Sequence, residues 1–265
     1  MSGGTDARAV APATAFTNFT WTHDGRFIHD KDNKLNWVNP DNGDKGAFTT
    51  EQGFVNGDPW ECSDRHTLVF LGGKDNESVW RADISGGGLK QLTHGKQDNN
   101  PVCAPDSKSV YYLDGSTGHI MQVPIEGGAS RKVSDLSITG SGFFDVSPDG
   151  RTMAFAVIDH AAGHEEKLVL AATDTGAVQS QVAFQRPRKG IVHFARDGKS
   201  VVYPVRENNV DNLWQQPLDG SPGKQLTSFK AEHIWDYHWS PDGSKLALVR
   251  GHTDSDVVLM RDAQP

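Results

Sequence analysis

Carboxylates, amides and imidazoles recur in this chain at matched distances from a short turn. Counting four residues back from each turn's first position gives Asn18, Asp58, Asn100, Phe143, Ile191 and Asp236. Two residues nearer the turn stand Thr20, Trp60, Val102, Asp145, His193 and His238. Side chains two apart on an extended strand share a face, so both sets would line one surface. Converging carboxylates repel one another unless a cation or raised pKa values relieve them. Oxygen donors favour a hard cation, so Asp58, Asp145 and Asp236, helped by Asn18 and Asn100, are the expected metal ligands, with Ca²⁺ as the expected ion. His193 and His238 keep a transition metal open. Trp60 and Trp235 offer aromatic faces to a sugar ring or an apolar group. The alternative is a water-filled polar channel with no specific ligand.

The elements that would position these residues are written in the turns. SPDG occurs twice, in VSPDGRTM at 146–153 and in HWSPDGSKL at 238–246. Weaker copies are WTHDGRFI, ECSDRHTLVF, CAPDSKSVYY and FARDGKSVVY. Pro at the second position pre-sets φ and Gly at the fourth takes the left-handed conformation, as in a hairpin loop with a bulge. The third position is Asp every time: Asp24, Asp64, Asp106, Asp149, Asp197 and Asp242. Its carboxylate suits nearby turn amides, so this Asp is expected to be structural. The copies recur roughly every 40–48 residues, the spacing of propeller repeats.

A second landmark runs in phase. Trp37, Trp80, Met121, Leu170 and Trp214 each stand six residues before a glycine, namely Gly43, Gly86, Gly127, Gly176 and Gly220. These read as third strands ending in turns, followed by a fourth strand that often closes on Leu-Thr, as at Leu92-Thr93 and Leu226-Thr227. A four-stranded sheet cannot bury both faces alone and needs neighbours. The expected fold is therefore all-β: one domain over residues 1–265, a six-bladed propeller of four-stranded antiparallel blades around a channel, with residues 1–8 a flexible terminus. The sixth unit runs short after a third strand at 256–260, and residues 9–15 are expected to supply its outer strand. Trp21, Trp37, Trp80, Trp214 and Trp239 are expected to pack between blades.

The bulk numbers agree. The chain has 265 residues, 28 of them glycine, 36% hydrophobic content and a net charge of −8. No stretch holds a 3.6-residue apolar period for three turns, and none is long and apolar enough for a transmembrane helix or signal peptide. No basic stripe or run marks a nucleic-acid or anionic-membrane surface. Catalytic motifs fail on inspection. RDGKS at 196–200 lacks the upstream glycine of a phosphate loop, there is no G-x-S-x-G elbow, and DKDN at 30–33 lacks the glycine and Glu of a calcium loop. HAAGHEE, with His160, His164, Glu165 and Glu166, has metal-ligand residue types but reads as a solvated hairpin tip. Cys62 and Cys103 stand at or beside the end of the first strand in adjacent units. Buried thiols and a disulfide both fit the sequence, the thiols being expected.

The HWSPDG hairpin, the LWxxPLDG third strand and the closing LT resemble the PD40 or TolB-like β-propeller repeat from about residue 16 to residue 258. The last units, DNLWQQPLDG through HWSPDGSKLALVRGHTDSDVVLM, are similar to the C-terminal propeller of bacterial transmembrane Ser/Thr protein kinases. They also resemble propellers attached to winged-helix regulators. The resemblance implies a non-catalytic sensor or interaction domain of a larger signalling protein, placed outside the cytoplasm. The expected partner is a protein or a small polar ligand, a monomer is the favoured state, and the acidic balance argues against nucleic acid. No kinase motif is present in the chain. Two other classes remain as alternatives: a TolB-like protein scaffold, and a propeller lyase or lactonase with a metal at the channel mouth.

Overall fold

A computed structural model describes residues 18–32, 34–48, 57–73, 77–138, 143–159, 165–185 and 190–252. Blade 1 contains β1 (Phe19–Trp21), β2 (Phe27–Lys31), β3 (Lys34–Val38) and β4 (Lys45–Ala47). Blade 2 contains β5 (Gly57–Glu61), β6 (Thr67–Gly72), β7 (Ser78–Asp83) and β8 (Lys90–Gln91). Blade 3 contains β9 (Asp98–Cys103), β10 (Ser109–Asp114), β11 (His119–Pro124) and β12 (Arg131–Ser137). Blade 4 contains β13 (Phe144–Val146), β14 (Thr152–Asp159), β15 (Glu165–Ala172) and β16 (Val178–Ala183). Blade 5 contains β17 (His193–Phe194), β18 (Ser200–Glu207), β19 (Val210–Pro217) and β20 (Lys224–Gln225). A sixth sheet pairs β21 (His233–Trp239) with β22 (Leu246–Gly251).

Each complete blade is an antiparallel meander. Six four-stranded blades were expected; among the described residues there are five, and the sixth unit contributes two strands. Its expected third strand at 256–260 and the closing strand at 9–15 lie outside the described residues. So do His160 and His164. β21 packs against both β1 and β19, which seats the sixth sheet between blade 5 and blade 1.

The hairpin code explains the repeat. In all six turns the fourth residue's N–H donates to the first residue's carbonyl, from Gly25 to Thr22 at 2.9 Å through to Gly243 to Ser240 at 2.7 Å. In all six the Asp Oδ1 accepts the N–H two residues on, at Arg26, His66, Lys108, Arg151, Lys199 and Ser244. The degenerate second and third copies keep the same geometry. Arg65 and Ser107 adopt φ of 61° and 56° where the other units place glycine. The local Asp–amide bond persists where Pro and Gly do not.

The apolar cores lie between sheets. Leu68 and Phe70 meet Ile28 and Leu35 of blade 1, Val69 and Leu71 meet Val110 and Tyr112 of blade 3, and Val202 and Leu213 meet Ile234 and Tyr237 of the sixth sheet. One strand thus feeds both neighbours through alternate residues. Trp37, Trp80 and Trp214 sit at the margins of these cores. Cys62 and Cys103 form a disulfide between blades 2 and 3, with Cα atoms 5.3 Å apart. This corrects the expectation of two thiols: Cys62 follows β5, Cys103 ends β9, and neighbouring blades bring those ends within bonding range.

Candidate functional site

The first strands of the six sheets surround a small cavity. All six residues four before the turns line it: Asn18, Asp58, Asn100, Phe143, Ile191 and Asp236. Trp60, His193 and His238 from the second set line it too. Its volume is about 30 Å³, enough for a water or an ion but far below the roughly 300 Å³ of a small organic ligand site. Trp60 packs at the cavity with its ring 6.0 Å from the imidazole of His193 and 5.8 Å from that of His238. A larger cleft of about 290 Å³ lies on blade 5 beside Trp214 and Phe229, and its lining holds none of the expected site residues.

Most of the polar lining residues fasten one blade to the next. The Asn18 amide donates to the Asp58 carboxylate, and Asp58 also takes the backbone N–H of Asn100. Asn100 Nδ2 donates to the Phe144 carbonyl at 3.1 Å. Asp145 Oδ2 accepts the Phe194 N–H at 2.8 Å, and Asp236 Oδ2 accepts the Phe19 N–H at 3.1 Å. Asp145 and Asp236 therefore do the same job two residues out of phase along their strands. Asp58 and Asn100 carry φ of 48° and 50° beside register shifts in β5 and β9. Asp and Asn tolerate this left-handed region better than most residues.

The expected site needs three corrections. Asp145 does not line the cavity; it is buried behind His193, with Oδ2 3.4 Å from Nδ1. Trp235 is also off the cavity, because a register shift between Ile234 and Asp236 turns it toward His233, 5.9 Å away. Asp58, Asp145 and Asp236 do not form one ligand set; among the described residues the converging donors are His193, Asp236 and His238, whose ligand atoms all lie within 4.8 Å of one another.

Sequence reasoning missed Asp30 on β2. Burial pushes Asp30 up to about 6, and the Asp236 charge adds to this. Burial pushes Asp58 up to about 6 as well, with the charges of Asp236 and Asp30 adding, against hydrogen bonds from Asn100 and Asn18. The left-handed Gly57 brings β5 against this carboxylate, a Cβ there lying 3.4 Å from Asp30 Oδ2. Counting back from turns examines only first strands, so it could not find a second-strand residue. His193 balances opposing forces: burial pushes it down, but the hydrogen bond and charge of Asp145, with Asp236 beyond, hold it above its ordinary value.

Repeated four-stranded meanders, inter-sheet cores and first strands around a common cavity define a β-propeller. Comparison with solved structures places it within that class as a TolB-like β-propeller fold. A TolB candidate from Agrobacterium tumefaciens matches with TM-score 0.70 at 17% identity, over 89% of this chain and 90% of that one. TolB from Acinetobacter baumannii matches with TM-score 0.66 at 20% identity, over 80% of this chain and 54% of that one, so the chain spans about half the length of that relative. An oligogalacturonate lyase in complex with manganese matches with TM-score 0.60 at 13% identity, over 88% of this chain and 74% of that one. No protein-family model matches the chain, and no curated protein matches it by sequence.

Proposed function

We propose that the chain is a non-catalytic, protein-binding propeller that works through its face rather than through a buried organic substrate. The carrying observation is the cavity at the axis, lined by Trp60 among others and at about 30 Å³ too small for a sugar or lactone. Asn18, Asp58, Trp60, Asn100, His193, Asp236 and His238 form the mouth presented to a partner, and Asp145 stands behind it. Five complete blades and a sixth sheet between blade 5 and blade 1 support a six-bladed ring. The inter-blade disulfide favours an oxidising, extracytoplasmic setting. Within it, a sensor or interaction domain of a larger signalling protein fits the repeat resemblance.

The second reading is a lyase or lactonase, favoured by the imidazole pair at the axis and by fold likeness to an oligogalacturonate lyase. A thermal-shift screen of unstructured peptides, sugars, lactones and oligogalacturonates, followed by turnover assays on any hit, separates the two. Stabilisation by polypeptide alone is expected. Turnover of a lactone or oligogalacturonate would overturn the proposal.

A further inference from the structure

We infer that His193, His238 and Asp236 bind one divalent transition-metal ion of the zinc class at the axis, independently of any partner at the face. Donors around a four-coordinate zinc lie about 3.3 Å apart, given bonds near 2.0–2.1 Å. His238 Nε2 and Asp236 Oδ2 are already 3.5 Å apart, and all three donors fall within 4.8 Å. Small side-chain adjustments complete the set.

His193 supplies the observation that points to a ligand. Its Nδ1 faces Asp145 Oδ2 at 3.4 Å, while its Nε2 is buried and has no hydrogen-bond partner. A buried polar atom left in this way calls for an occupant. A carboxylate behind one ring nitrogen, with the other nitrogen free, is how proteins orient a metal-binding imidazole. Asp236 is held as well, by the N–H groups of Tyr237 at 2.7 Å and Phe19 at 3.1 Å. The two imidazoles and one carboxylate select a transition metal over Ca²⁺ or Mg²⁺, which take oxygen donors. This replaces the calcium expected from the carboxylates alone. The adjoining 30 Å³ leaves room for a fourth, water ligand and for nothing much larger.

The test uses the whole chain after chelator treatment and dialysis. Titration with Zn²⁺ by calorimetry should show one ion per chain. His193→Gln and His238→Gln should each weaken binding by at least about 100-fold, beyond the loss typical of a second-shell change. A His160→Gln/His164→Gln chain should bind as the parent does. Asp145→Asn should keep the stoichiometry and weaken binding about 10–100-fold, as a positioning residue does. Wild-type protein loaded with Co²⁺ gives a reading free of folding effects, since four-coordinate Co²⁺ absorbs far more strongly in the visible than the aqueous ion. No zinc heat, an aqueous-type cobalt spectrum, or binding lost only in the His160/His164 variant would each overturn the assignment.

Discussion

Asp145 offers the sharpest test of how the ring is held. Its side chain is buried, and its two oxygens accept the N–H groups of Val146 and Phe194, each at 2.8 Å. The first bond is local, while the second joins blade 4 to blade 5. Asp145→Ala leaves both amides buried and unpaired, at about 1–3 kcal/mol each, so a loss of about 3 kcal/mol is expected. For a domain of this size that lowers Tm by about 6–12 °C. Asp145→Asn keeps an oxygen for one amide but turns an NH₂ group toward the other, and should cost about half as much. Asp135, exposed and paired with Lys132, is the control, and its Ala variant should melt as the parent does. Urea unfolding at pH 7 measures all three. A loss below about 1 kcal/mol for Asp145→Ala would refute the reasoning, because two buried amides cannot be abandoned so cheaply.

Four other outcomes are expected. Asp30 and Asp58 sit near 6 when folded against 3.8 for the free side chain, so the folded chain binds more protons between about pH 4 and pH 6. Stability should therefore rise as pH falls from 7 toward 5, and Asp58→Asn should flatten that slope in pH-dependent urea melts; a wild-type slope of opposite sign would contradict the shifts. Reduction of the Cys62–Cys103 bond, which spans 41 residues, should cost about 4 kcal/mol in the chain-entropy picture, read from melts with and without a phosphine reductant. Gly176→Ala should destabilise by more than about 1 kcal/mol, because φ is 68° and the new Cβ would stand 2.0 Å from the Val133 carbonyl oxygen of blade 3. Arg65→Gly should stabilise by about 0.5–1 kcal/mol by relieving a left-handed non-glycine, again by urea melts, whereas Ser107→Gly should gain less because it also loses the hydroxyl that accepts the Asp64 N–H at 2.9 Å.

The sequence by itself determined the blades. The turn hydrogen bonds join residues two or three apart, so Asp24 through Asp242 signal their hairpins whatever the rest of the chain does. The third-strand residue and its glycine are equally local, and all five glycines carry positive φ. The inward face of the first strands was legible too, because strand alternation is a fixed period of two. What each inward side chain does was decided only by how neighbouring sheets dock. Asp145 and Asp236 both accept an amide from the next sheet, yet a two-residue offset hides one behind His193 and sets the other on the cavity. A register shift in β21 turned Trp235 off the cavity, and the approach of β5 set Gly57 against Asp30. The pairing of Cys62 with Cys103 and the meeting of His193 with His238 join residues 41 and 45 apart in the chain. Those meetings depend on sheet-to-sheet packing through apolar cores, which fixes distances that no local residue pattern encodes.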